Sequence, residues 1–181
     1  LLAACCAAAL GGCGDTLQVN PIPHNILESL IVVPRPVYWL GATFRGLPIT
    51  DAVHDPSGAY TVQYGVCLEG GQATCVPPLR VVTSPDNSFV PLGSAPHAVV
   101  QLRGVPAVIA HGGGTVEIPT GGVVLDIYAH DPALASAAAR VAVPINGVAA
   151  PDGPLPAPLP NTGFAAKPLP SQVPSPVRAL G

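Results

Sequence analysis

The sequence predicts an α+β domain: a small, mainly antiparallel sheet with a short helix before it and an Ala-rich helix after it, followed by a proline-rich disordered tail. Three observations predict this. Short apolar or alternating runs recur between turns rich in Gly, Pro, Asn and Asp, which is the pattern of strands. Helix-start signals flank these runs, at Asn25 and at Asp131. From Pro144 onward prolines return every few residues with little apolar sequence to bury. Strands grouped between terminal helices point to α+β rather than to an alternating parallel fold.

Taken in order, Asn25-Ile26-Leu27-Glu28 reads as a capping box, with Asn25 as N-cap and Glu28 reaching back from N3. Ile26, Leu27, Leu30 and Ile31 follow at helical spacing, and Pro34 and Pro36 stop the helix. Such a helix lacks the basic face of a membrane-surface helix and is expected to dock on the domain. Val37-Tyr38-Trp39-Leu40 reads as a buried strand that packs the Trp in the core. A second strand is expected around Ile49–Val53, then a turn at His54-Asp55-Pro56-Ser57-Gly58. From Ala59 to Val66, Tyr60, Val62 and Tyr64 alternate with Thr61 and Gln63, as in a half-buried strand, and Leu79–Val82 can pair with it. His97–Leu102 follows as a strand, with Arg103-Gly104-Val105-Pro106-Ala107 as a break before Val108-Ile109-Ala110. Thr115–Ile118 and Val123–Ala129 are strands around a turn at Pro119-Thr120-Gly121-Gly122. Asp131 then caps a helix with Pro132 at its first position. Leu134, Ala135, Ala138 and Val141 form its apolar face, and Arg140 sits where the helix dipole favours a cation.

Charged residues make up 9% of the 181 positions, against the usual quarter, and the net charge is −3. The arginines are scattered, so the chain carries no nucleic-acid footprint. No run of eighteen apolar residues follows position 13, so no spanning helix is expected there.

Leu10-Gly11-Gly12-Cys13, after the Ala-rich stretch Leu1–Ala9, resembles the lipobox of bacterial lipoproteins. The resemblance implies cleavage before Cys13, a diacylglycerol on its thiol, and residence at the outer face of the cell membrane, where two acyl chains hold stably. Leu2-Ala3-Ala4-Cys5 is a second match, with less apolar sequence ahead of it. The basic n-region and the initiator Met are missing, so the leader is read as truncated or started at the wrong codon. The expected organisation is leader 1–12, anchor and tether 13–24, domain 25–143 and tail 144–181. Arg103–Val141 and Tyr64-Gly65-Val66-Cys67 also resemble small secreted lipoproteins of high-GC Gram-positive bacteria, a resemblance that lends no activity.

With Cys5 and Cys6 in the leader and Cys13 lipidated, Cys67 and Cys75 remain. An oxidising compartment makes them a disulfide closing the polar loop 68–74, worth about 2–3 kcal/mol.

Several chemical readings compete with plainer ones. His111-Gly112-Gly113-Gly114 resembles an esterase oxyanion loop, but no Ser occupies a G-x-S-x-G elbow, Ser94 included, so the run is read as a turn. His54-Asp55 and His130-Asp131 are metal-ligand pairs by type, yet each Asp precedes Pro where a turn or helix must start. Glu117 and Asp126 fall on adjacent strands where they can face each other, and Asp126 is expected to pair with Arg103, to face solvent, or, if buried, to titrate high. Leu159-Pro160-Asn161-Thr162-Gly163 resembles a sortase signal but lacks the apolar segment such substrates continue into. No catalytic, cofactor or metal residue is therefore assigned. The expected role is a lipid-anchored envelope module, partnered by membrane lipid and by another envelope protein or a wall component, without nucleic acid. The alternatives are a hydrolase built from scattered His and carboxylates, and a carrier of a small apolar ligand.

Overall fold

The computed structural model describes residues 22, 24–66, 76–85 and 97–159. It is α+β. Helix α1 (His24–Ile31) leads to β1 (Tyr38–Trp39), β2 (Thr43–Phe44), β3 (Leu47–His54), β4 (Tyr60–Tyr64) and β5 (Leu79–Pro85). Strands β6 (His97–Leu102), β7 (Val105–Ala110), β8 (Thr115–Thr120) and β9 (Val123–Ala129) follow, then α2 (Pro132–Val141) and β10 (Val143–Pro144). Among the described residues eight strands form one antiparallel sheet in the order β2-β3-β4-β5-β9-β8-β7-β6, and β1 pairs with β10 apart from it.

This order is two meanders, β2 to β5 and β6 to β9, joined back to back where β5 runs antiparallel to β9 from Leu79↔Ala129 to Pro85↔Val123. Each meander opens with the same turn. Arg45-Gly46 and Arg103-Gly104 both have positive φ at both residues, 49° and 80° in the first and 52° and 84° in the second. That is the geometry of a type I′ hairpin, whose twist matches the flanking strands. Leu47-Pro48 and Val105-Pro106 follow the two turns.

Two prolines read as breakers instead lie on strands. Pro106 pairs with Gln101 of β6 and Pro119 with Val124 of β9. Strands β7 and β8 are in register only from Val108↔Glu117 to Ala110↔Thr115, so they part where each carries its proline. A proline there costs no ladder bond, because its ring nitrogen faces the unpaired side.

The chain after β10 closes that gap, so the folded part reaches beyond position 143, where the sequence placed the end of the domain. The Leu155 amide donates to Arg103 O at 2.9 Å, Thr120 Oγ1 to Pro156 O at 2.7 Å and the Leu159 amide to Gly121 O at 2.8 Å. Leu155 is 7% exposed. The segment thus straps the β6–β7 turn to the β8–β9 turn. Arg103 holds it from the other side: Nε donates to Gly153 O at 2.7 Å, and Nη1 to Ala142 O just past the end of α2. Arg103 therefore does not pair with Asp126.

One face of the sheet carries the core. Val62, Tyr64, Leu79, Val81, Leu125 and Ile127 are fully buried there, with Ala135, Ala138 and Ala139 of α2 packed against them. Small alanines let the helix approach closely. Asp131 caps α2 as its sequence requires, accepting from the Ala133 amide at 2.9 Å with Pro132 in the first turn. Helix α1 differs from its capping-box reading: it begins at His24, Asn25 lies inside it, and Glu28 meets His24 Nε2 at 3.2 Å one turn back. Several buried polar atoms are satisfied across elements. Tyr64 OH accepts from the Leu40 amide at 2.8 Å and donates to Gly41 O at 3.1 Å, and Thr83 Oγ1 accepts from the Tyr38 amide. Asn146 ties the stretch after α1 to the stretch after β10: Oδ1 accepts from the Val37 amide, while Nδ2 donates to Val33 O and Arg35 O.

Candidate functional site

Asp126 and Glu117 face each other directly across β9 and β8, on the sheet face opposite α2. Side chains directly opposed on antiparallel strands are neighbours, so a second carboxylate here raises the cost of charging the first. Asp126 is 4% exposed, and its Oδ1 has no hydrogen-bond donor among the described residues. Burial, reinforced by the Glu117 charge, lifts its carboxyl from 3.8 to about 7. Burial also raises the Glu117 carboxyl, opposed by His111 and His97. Tyr128, two residues along β9, is pushed up to about 12, by burial first and then by Asp126 and Glu117. The Arg80 guanidinium lies 5.1 Å over the Tyr128 ring. This face is a titratable patch able to hold a proton near neutral pH.

Other sequence candidates are spread apart. His54 stacks on Tyr60, ring centroids 4.4 Å apart, and Asp55 holds the next turn by accepting from the Ser57 amide at 2.7 Å, a bond that lowers its carboxyl pKa. His111 lies in the 3-10 turn His111–Gly113 between β7 and β8, whose Gly113 lies against Pro132. His130 donates its amide to Pro78 O, and Asp131 is occupied by the helix cap. Among the described residues no group of three or more His, Cys, Asp or Glu side chains is arranged to hold a metal ion. Cys13, Cys5, the Cys67–Cys75 pair and Ser94 lie outside the described residues, as does the sorting-like pentapeptide after Leu159.

A second feature lies on the core face, and sequence reading missed it. Strand β6 ends the sheet, and between it and α2 runs an open groove of about 190 Å³. Val100, Leu102, Ile109, Val116 and Ala139 form its apolar lining, with Gln101, Ser136 and Arg140 supplying the polar groups. The alternation of β6 explains the arrangement. Val100 and Leu102 turn inward, whereas Val99, at 65% exposed, turns out. Strand β6 thus offers a backbone edge beside a side-chain pocket. From Ala98 to Leu102 that outer edge has no strand partner among the described residues. Local patterning marks both walls as amphipathic, but nothing local says that the sixth strand of the sheet is its edge or that α2 lies beside it.

No protein-family model, curated protein or solved structure matches the chain.

Proposed function

We propose that the chain is a lipid-anchored envelope module, held at the outer face of the membrane through Cys13, that binds an extended segment of a partner protein along β6. The groove between β6 and α2 carries this reading. An edge strand presents unpaired backbone groups that a partner strand can satisfy, and an adjoining apolar pocket can select alternate side chains of that strand. The stretch of β6 from Ala98 to Leu102, with neither Pro nor Lys, has little built in to repel such pairing.

The competing readings fit less well. A carrier of a small apolar ligand needs a pocket of roughly 300–1,000 Å³, more than this groove offers. A hydrolase would draw on Asp126 and Glu117, which face away from the groove, so the titratable groups and the concave surface are not together.

A random octapeptide library selected on the full chain tests the proposal. Enriched peptides are expected to lose binding when their backbone is N-methylated at alternate residues, because strand addition needs those amides. They are also expected to lose it to Val100→Arg. Binding indifferent to both changes overturns the groove reading, and a library without enrichment overturns peptide binding altogether.

A further inference from the structure

We infer that the segment taken up along β6 carries a carboxylate beside an apolar side chain, and that Arg140 receives the carboxylate. The inference rests on the strand-addition reading above.

Among the described residues the groove lining holds five apolar residues, two neutral polar ones and a single charge, Arg140. Arg140 is exposed on the last turn of α2, and among the described residues no carboxylate pairs with it. Ser136 lies one turn earlier on the same helix face, so a hydroxyl and a guanidinium line one rim together. Ala139, between them on the groove side, is small enough to leave the floor open.

Arg103, next in sequence to Leu102, is spent on Ala142 O and Gly153 O, with Asp152 acting on it, so Arg140 is the cation left to an anion in the groove. The Arg103 bond to Ala142 O also counters the negative end of the α2 dipole, which would otherwise repel an anion. What the geometry recognises is therefore an apolar side chain seated over Val100, Leu102, Ile109 and Val116, with an anion at Arg140. The fork of a guanidinium suits the two oxygens of a carboxylate.

A carboxylate comes from an Asp or Glu side chain or from a free C-terminus. Two random octapeptide libraries, one with free C-termini and one amidated, separate these sources when selected on the full chain. Enrichment of Asp or Glu next to an apolar residue in the amidated library assigns a side-chain carboxylate. Enrichment confined to the free library assigns a terminal one. In either case Arg140→Gln is expected to weaken the selected peptides about fivefold, the size of an exposed ion pair, and Arg140→Glu to weaken them further and to reverse the preference toward basic peptides. Because Arg140 is exposed, both variants are expected to keep the circular dichroism of the parent chain.

Peptides enriched without a carboxylate, and bound equally by Arg140→Glu, overturn this inference while leaving strand addition standing. Libraries that yield no binders overturn both.

Discussion

Replacing Asp126 by Asn should remove a stability loss that sets in as pH rises. In the folded chain the Asp126 carboxyl is raised from 3.8 to about 7, first by burial and then by Glu117. A carboxyl with a raised folded pKa binds more protons folded than unfolded, so the stability Asp126 contributes is fully present below about pH 4 and is lost by about pH 7. Three units at 1.36 kcal/mol each place that decline on the order of 4 kcal/mol for Asp126. Glu117, raised in the same direction, adds to the slope in both proteins. The Asn side chain has no proton to lose, but its amide meets the same poorly satisfied site and costs about 1–3 kcal/mol at every pH. The variant should therefore be less stable than the parent near pH 4 and more stable near pH 8. Urea denaturation from pH 4 to pH 8 measures this. Parallel curves for parent and variant, with no crossing, would refute the claim that Asp126 is buried and uncompensated.

Two further outcomes follow from the same structure, and a third from the sequence. Arg103→Ala deletes the bonds to Gly153 O and Ala142 O that hold the strap and the end of α2, and should lower stability by about 2–4 kcal/mol in chemical denaturation. Gly65→Ala must place a methyl 2.8 Å from Pro78 Cγ at a φ of 82°, and should cost more than about 1 kcal/mol in the same assay. For the anchor and the cysteine pair, intact mass of the membrane fraction should report an acylated Cys13 with Cys67 and Cys75 lacking their thiol hydrogens. Cys13→Ala should release the chain from the membrane.

The parts of the fold legible in the sequence are those set by neighbours in the chain. Asp131-Pro132 announces α2 because a cap and a fixed φ act within one turn. Tyr60, Val62 and Tyr64 announce β4 because alternation is a property of the strand itself. Asn25 misled because a plausible cap was competing with the His24–Glu28 pairing one residue earlier. Pro106 and Pro119 misled because their tolerance depends on β7 and β8 parting, which is a fact about pairing and not about either segment. The repeated Arg-Gly-Leu-Pro and Arg-Gly-Val-Pro at 45–48 and 103–106 were visible and would have marked two matching hairpins.

For the candidate sites the division is the same. That Glu117 and Asp126 lie on adjacent strands was readable; their direct opposition follows from the two-residue turn Gly121-Gly122, shorter than the four-residue turn the sequence suggested, since turn length fixes register. The groove was not. Val100 and Arg140 come together only through the strand order, in which β6 lies at the end of the sheet although β9 lies near its middle.

The most direct measurement is amide chemical-shift mapping of the full chain titrated with a library-selected peptide. The largest shifts should run along Ala98–Leu102 and Ser136–Arg140, with the Glu117–Asp126 face little changed. Shifts centred on Glu117, Asp126 and Tyr128 instead would contradict strand addition and move the binding site to the other side of the sheet.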